Sequence, residues 1–346
     1  MPEDPQSATP TPSPELFLQP LSGFQLTALL KAALELDLFT QIGKGAQTPA
    51  ELAAACACSE RGARILADAL AVIGLLHKHN GQYRLTIDSE AFLRRDSPAY
   101  MGAVADFLTS ERQLEGFNRL AEAARIGGSA LGPDPAHTPD SEVWVNFARN
   151  MASMQRMPAQ ALAELLLPRA VAPCKVLDIA AGHGMFGIAM AQRNPHAEVY
   201  ALDWPAVLNV AAENAARAGV ADRWHKIPGS AFEVDLGRDY DWVLLPNFLH
   251  HFDIPTCEAL LKRVRAAVRD EPASQGEVAI LDFIPDEDRL APPRAALFAL
   301  IMLANTPAGD TYTYSQLEAM LHHAGFSDTE LNSLGPAAHR VVIAAP

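Results

Sequence analysis

Apolar residues recur at helical spacing through the first half of the chain and in short runs between polar segments after Pro173, predicting a helical N-terminal part and an alternating strand and helix C-terminal part. Over 21–39, Leu26, Leu29, Leu30 and Ala33 share a face that runs into the crowded Leu34, Leu36, Leu38 and Phe39, so the pattern predicts a helix with more apolar surface than one small core needs. Thr48-Pro49-Ala50-Glu51 is a capping box with proline at the first helical position, opening a short helix through Ala55. Ser59 caps a second helix, in which Leu66, Leu70 and Ile73 fall on one side before Gly74 ends it. Residues 75–79 and 82–86 flank Asn80-Gly81, a pair suited to a two-residue type I′ hairpin.

Helix, turn, helix and hairpin is a winged-helix pattern, which reads either as a DNA-binding module or as a protein-protein module on the same scaffold. Residues 106–170 read as helical and linking, with a break at Gly127-Gly128 and Gly132-Pro133. Phe147, Met151, Met154 and Met157 lie along one helix face there, as a core stripe or as the wall of a pocket. After Pro173, strands are predicted at 175–179, 198–202, 242–245, 278–281 and 341–344. Helices are predicted at 185–193, along Cys257, Leu260, Leu261, Val264 and Val268, and near 315–323. That alternation implies a doubly wound, mostly parallel α/β sheet with ligands outside the carboxyl ends of its strands. The first fifteen residues hold five prolines and almost nothing to bury, the composition of a disordered tail. The expected organisation is a tail over 1–15, a winged-helix-like domain over 16–105 and a larger α/β domain over 106–346.

Charge narrows the partners. A formal charge of −14 repels phosphate backbones and anionic membranes, and the second helix of the winged-helix pattern offers only Arg61 and Arg64. Dimerisation is therefore the expected role of the N-terminal domain. The longest apolar run, 295–304, is about half of what a membrane-spanning helix needs, and no basic start with an apolar core opens the chain, so a cytoplasmic protein is expected. Four cysteines without zinc-like spacing read as reduced and structural, with no metal expected.

The first strand after Pro173 runs into a glycine loop in which Gly182, Gly184 and Gly187 satisfy G-x-G-x-x-G, and Asp203 ends the next strand nineteen residues after the second glycine. Glycines let backbone approach a nucleotide while the carboxylate receives ribose hydroxyls. A nicotinamide dinucleotide is one reading. Asp178, four residues before the first glycine, fits better with a ligand that carries a cationic amino-acid tail and no pyrophosphate. A ligand-sensing regulator is a third reading, opposed by charge. A methylase acting on DNA bases is disfavoured, since Leu245-Pro246-Asn247-Phe248 is not the Asn-Pro-Pro-aromatic loop of such enzymes.

Across nearly its whole length the chain resembles the S-adenosylmethionine-dependent O-methyltransferases of the plant caffeate and flavonoid type and the bacterial polyketide-tailoring type. The motifs are VLDIAAGHG (176–184), ALDWPAVL (201–208), PGSAF (228–232), NFLHHFD (247–253) and IMLANTPAGD (301–310). The resemblance implies a homodimer swapped through the N-terminal domain and a Rossmann-like seven-stranded sheet whose last strand is antiparallel. It implies S-adenosylmethionine as cofactor, held by Asp178, Gly182, Gly184, Asp203, Trp204, Ser230, Ala231, Phe232 and Asn247, with Ser230 standing where the family usually has Asp. It places the acceptor pocket at Phe107, Met151, Met154, Met302 and Asn305, for a flat, mostly apolar molecule. Methyl transfer to a hydroxyl needs in-line geometry and loss of a proton, and a histidine suits that abstraction. The resemblance makes His250 the base and Asp282 the first of two acids beside it, the second falling on Thr311. The other reading of His250 and His251 is that one caps the helix starting near Pro255. Methylation at carbon or nitrogen would demand less of His250.

Overall fold

The computed structural model describes residues 13–132, 142–167, 173–271, 274–335 and 339–346. Of the expected tail, all but 13–15 lies outside the described residues, and Glu15 already opens a helix, α1 (Glu15–Leu21). Pro133 of the expected break also lies outside them. The chain divides after Ala105 into two compact units.

The first unit continues with α2 (Gly23–Glu35), α3 (Leu38–Gly43), α4 (Pro49–Ala55), α5 (Glu60–Val72), the hairpin β1 (Leu76–His79) and β2 (Gln82–Leu85), and α6 (Ile87–Phe92). The single helix expected over 21–39 is broken. Asp37 takes a left-handed φ of 55°, and its carboxylate accepts from the Thr40 hydroxyl at 2.5 Å and the Gln41 amide at 3.1 Å. The break lets Leu38, Phe39 and Ile42 enter the same core as Ala33, Leu52, Leu70 and Tyr83. Thr48 and Glu51 form the reciprocal capping box at α4, and the Ser59 hydroxyl accepts from Gly62 N–H at 3.0 Å at α5. Asn80 and Gly81 supply the two positive φ angles, 49° and 76°, of the hairpin turn. Along α1 and α2 the side chains of Leu16, Phe17, Leu21 and Phe24 stay exposed.

Helix α7 (Ala103–Leu108) leads into the second unit, followed by α8 (Glu111–Asn118), α9 (Leu120–Ile126) and the long α10 (Glu142–Leu166). Then come β3 (Cys174–Ile179), α11 (Met185–Arg193), β4 (Ala197–Asp203), α12 (Pro205–Arg217), β5 (Trp224–Pro228), β6 (Trp242–Pro246) and α13 (Ile254–Ala267). A two-residue ribbon, β7 (Asp270–Glu271) and β8 (Ser274–Gln275), precedes β9 (Glu277–Asp282), α14 (Pro293–Asn305), α15 (Tyr314–Ala324), β10 (Asp328–Ser333) and β11 (Arg340–Ala345). Seven strands form one sheet in the order β10-β11-β9-β6-β3-β4-β5. Neighbours from β9 to β5 are parallel, and the last strand, β11, runs antiparallel to both β9 and β10.

Strand pleating sends Val176 to the core layer shared with α10, α11 and α12, and Leu177 and Ile179 to the layer shared with α13 and α15. From β3 the chain steps outward through β4 to β5 and then returns to the other side of β3 as β6, so the strand order reverses between β3 and β6. A crevice opens at such a switch point, beyond the carboxyl ends of the strands. Among the described residues no helix is long and apolar enough to cross a membrane.

Candidate active site

The loop after β3 is held open by backbone conformation. Ala180, Gly182 and Gly184 all have positive φ, 54°, 57° and 76°. Gly182 N–H donates to Asp203 Oδ2 at 2.8 Å, and Trp204 N–H donates to Asp203 Oδ1 at 2.7 Å, so the carboxylate at the end of β4 braces the loop from the side. Gly182, His183, Asp203, Trp204 and Asn247 border one cleft, with Trp144 and Phe147 of α10 opposite. The cleft is narrow, about 80 Å³.

The other two glycines act elsewhere. A Cβ on Gly184 would lie 3.1 Å from Ala211 Cβ, and one on Gly187 would lie 2.6 Å from Val199 Cγ1, so these positions seat α11 against α12 and the sheet. Asp178 shares the Val176 side of β3 and lies beneath α11, where its Oδ2 accepts from Gly187 N–H at 3.0 Å and its Oδ1 has no partner. It does not line the cleft. Burial pushes its carboxyl up to about 7, against the pull of the Gly187 hydrogen bond, and burial lifts Asp203 to about 6. His183 accepts from Met185 N–H through Nδ1, and burial holds it down to about 4, so the ring in the cleft wall is neutral.

Ser230, Ala231 and Phe232 stand away from the cleft wall. Ser230 Oγ accepts from Phe232 N–H at 3.2 Å, Ala231 is core, and the Phe232 ring packs edge-on to Phe252 at 5.0 Å, behind Phe248.

Asn247 follows strand β6, adopts φ 53° and donates its N–H to Leu281 O at 2.7 Å, while its side-chain Oδ1 is buried without a partner. Asn247 also lines a second, larger cavity of about 850 Å³, as do His251, Trp144 and Phe147. The two spaces therefore share a wall. Into the second face Phe107, Met151, Met154, Met302 and Asn305, the five residues singled out for an acceptor pocket. The stripe on α10 is thus a cavity wall at Phe147, Met151 and Met154, whereas Met157 is exposed.

His250 lines this cavity from a short helical turn after β6 and is 3% exposed. Its Nδ1 lies 2.6 Å from Asp282 Oδ1, an atom that also accepts from Phe283 N–H at 2.8 Å. A carboxylate oxygen already serving as acceptor makes Nδ1 the donor and leaves the Nε2 lone pair free. The Phe298 ring stands edge-on to His250 at 4.9 Å. Neither histidine caps the following helix: Asp253 does, accepting from Thr256 N–H at 2.9 Å. His251 lines both spaces, edge-on to Trp144 at 5.3 Å, and burial with His250 beside it holds its ring well below the ordinary histidine range. Its sequence carried no sign of this beyond adjacency to His250. Thr311 is buried and lines neither space, and its carbonyl accepts from Arg289. Only one acid therefore meets His250 among the described residues.

A glycine loop and a strand-end carboxylate at the switch point, next to a second cavity holding a buried histidine and carboxylate pair, define a nucleotide-dependent group-transfer enzyme of the class I methyltransferase fold. The O-methyltransferase domain model matches residues 123–327 and the O-methyltransferase dimerisation domain model matches 18–95. The chain is 49% identical to a crystallised protein from Nostoc punctiforme PCC 73102 classed as an O-methyltransferase, over 97% of this chain and all of that one, with a TM-score of 0.91. It is 28% identical to the 3-hydroxy-5-methyl-1-naphthoate 3-O-methyltransferase of Streptomyces sahachiroi, covering 95% of this chain and 94% of that one. It is 27% identical to the L-tyrosine C(3)-methyltransferase of Streptomyces lavendulae, covering 99% and 96%. The chain belongs to the S-adenosylmethionine-dependent O-methyltransferase family, and its N-terminal unit is that family's dimerisation domain.

Proposed function

We propose that this enzyme moves the methyl group of S-adenosylmethionine to a hydroxyl of a small aromatic or polyketide-like acceptor, as a homodimer joined through its N-terminal unit, with His250 as general base. The observation that carries the reading is the buried His250 and Asp282 pair at 2.6 Å, facing the larger cavity beside the wall shared with the glycine-loop cleft.

The cofactor fits the residues of the first cleft. Asp203, with a carboxylate at the mouth of β4, suits ribose hydroxyls; Trp204 offers a ring face to adenine; Gly182 leaves free the space a side chain would fill, 3.7 Å from Phe147. The orphaned Asn247 Oδ1 is an acceptor for an ammonium group. Asp178 acts through the loop, by holding Gly187, and Gly184 by seating α11. Ser230, Ala231 and Phe232 would back the adenine through Phe248. The cleft is smaller than the roughly 300–1,000 Å³ usual for ligand sites, so Trp144 and Phe147 yield as the nucleoside enters. When bound, S-adenosylmethionine supplies an electrophilic methyl on a sulfonium.

His250 Nε2 takes the hydroxyl proton as the oxygen attacks, and Asp282 stabilises the imidazolium that forms. The aromatic and Met-rich wall holds a flat acceptor in line. Adding free imidazole to His250→Ala tests the base: the variant keeps cofactor affinity, loses transfer and regains part of it with imidazole, whereas near wild-type turnover on a phenol overturns the assignment. A second reading, transfer to carbon, is favoured by Thr311 contributing no charge to the base and by the tyrosine C-methyltransferase relative.

A further inference from the structure

The larger cavity is not uniformly apolar. Arg112 and Arg294 both line it, and neither forms an ion pair with any described residue. Arg112 Nη2 is buried without a hydrogen-bond partner. Among the described residues the one hydrogen-bond contact of Arg294 is to the Met154 sulfur, at 4.0 Å. Asp106 is the one carboxylate among the lining residues, and it pairs with neither arginine. Gln155, 4% exposed with an orphaned Oε1, and Asn305, whose Nδ2 is engaged by Gln113 and Ile301 while Oδ1 is not, line the same space.

Arg112 Nη2 is a buried donor without a partner, which is costly because it forfeits its water, and Arg294, at the exposed start of α14, reaches the same cavity with no acid beside it. The expense stands out in a chain of net charge −14, where acidic partners for arginine are abundant elsewhere on the fold. Apolar walls from Phe107, Met151, Met154 and Phe298 take a planar ring, and forked donors beside them match a planar anion in two parallel hydrogen bonds.

We propose that the acceptor is a hydroxylated aromatic acid, its carboxylate held by Arg294 and Arg112 while its hydroxyl meets His250. This rests on the second cavity being the acceptor site and names the substrate class for it. The two arginines fix which hydroxyl reaches the base, so they set regiochemistry as well as affinity.

The test is equilibrium binding to the full-length enzyme loaded with S-adenosylhomocysteine, which reads the acceptor site without relying on transfer. The probes are hydroxynaphthoates with the carboxylate at each ring position, the matching naphthols and the matching naphthamides. At least one acid binds about ten- to a hundredfold more tightly than its naphthol, and Arg294→Gln removes most of that preference while S-adenosylhomocysteine affinity stays unchanged. Arg294 lies at the exposed start of α14, so this variant folds, and Arg112→Gln provides the second arm. The amide loses the preference if the site reads charge. Absence of any preference for the acids, or a preference that survives both arginine variants, overturns the proposal. Wild-type transfer to naphthols as fast as to their acids would also overturn it while leaving the methyltransfer reading intact. A preference for naphthols of low phenolic pKa, equal to that for acids, would assign the arginines to the ionised hydroxyl instead and sink the carboxylate claim.

Discussion

The two spaces that meet at Asn247 are built by opposite strategies. The glycine-loop cleft is made of backbone: positive φ angles and N–H groups braced by Asp203 at the cleft and by Asp178 beneath α11, all set within about thirty residues of one another around β3 and β4. The larger cavity is made mostly of side chains from α7, α8, α10 and α14, elements separated by nearly two hundred positions, and Arg112 Nη2, Gln155 Oε1 and Asn305 Oδ1 in it are left without partners. In the first, both oxygens of Asp203 are satisfied from within by the Gly182 and Trp204 N–H groups, and on the proposed reading the same loop serves the cofactor whatever the acceptor. The other is an unfinished network that, on the proposed reading, a particular acceptor completes. A cofactor site should thus be sensitive to loop geometry, and an acceptor site to individual side chains.

The sharpest break in that symmetry comes from His250, which belongs to the acceptor side. His250→Ala lowers the methyl-transfer rate by roughly 10²- to 10⁴-fold with cofactor affinity little changed, and Asp282→Asn lowers it less, because the carboxylate orients the ring and stabilises its charge. Single-turnover rates at saturating cofactor make the comparison. If the two substitutions weaken cofactor binding by the same factor as turnover, the spaces are not separable as described.

A second effect belongs to the cofactor side. The Asp178 carboxyl is raised to about 7 in the folded protein, against 3.8 when unburied, so folding favours the protonated form. Its contribution to stability is present in full at acid pH and is lost as pH climbs from about 4 through 7. Asp178→Asn keeps the acceptor for Gly187 N–H and removes the titration. The cofactor-free variant should therefore gain on wild type as pH rises from 5 to 8, by on the order of 2–4 kcal/mol at the upper end. Chemical denaturation at both pH values measures it, and a gap that does not grow with pH would refute the cause given. His183 acts oppositely: held to about 4, it withdraws stability as pH falls below about 6.5, so the wild-type curve is a sum and only the difference between the two proteins isolates Asp178.

The smallest effect is optical. Trp144 and Trp204 border the cleft, whereas Trp224 and Trp242 are buried in the core. Titration with S-adenosylhomocysteine should shift tryptophan emission, and Trp144→Phe together with Trp204→Phe should abolish the shift. An undiminished response would place the nucleoside elsewhere.

The same contrast explains what the sequence disclosed. Gly182 and Asp203 were legible because local spacing and backbone chemistry specify them. So was the hairpin, from Asn80-Gly81 alone. Pleating put Asp178 under α11, out of the cleft it had seemed to serve, a consequence of strand period that a motif does not display. Asp37 hid the break in the first apolar helix, since a left-handed non-glycine residue has no compositional sign. Strand β10, DTELNS, is a polar edge with no hydrophobic alternation to find, and β5 was passed over too. The five acceptor residues came from family resemblance. Arg112, Arg294 and Gln155 did not, because a missing partner is visible only once the chain is folded.

The central claim is that S-adenosylmethionine sits in the glycine-loop cleft against Asp203 while the acceptor sits beyond Asn247. Calorimetric titration of S-adenosylhomocysteine into wild type, Asp203→Ala and Arg294→Gln addresses it most directly. Loss of a charge-assisted acceptor predicts an affinity about ten- to a hundredfold weaker in Asp203→Ala and unchanged in Arg294→Gln. No binding by wild type, or equal affinity in wild type and Asp203→Ala, would contradict it.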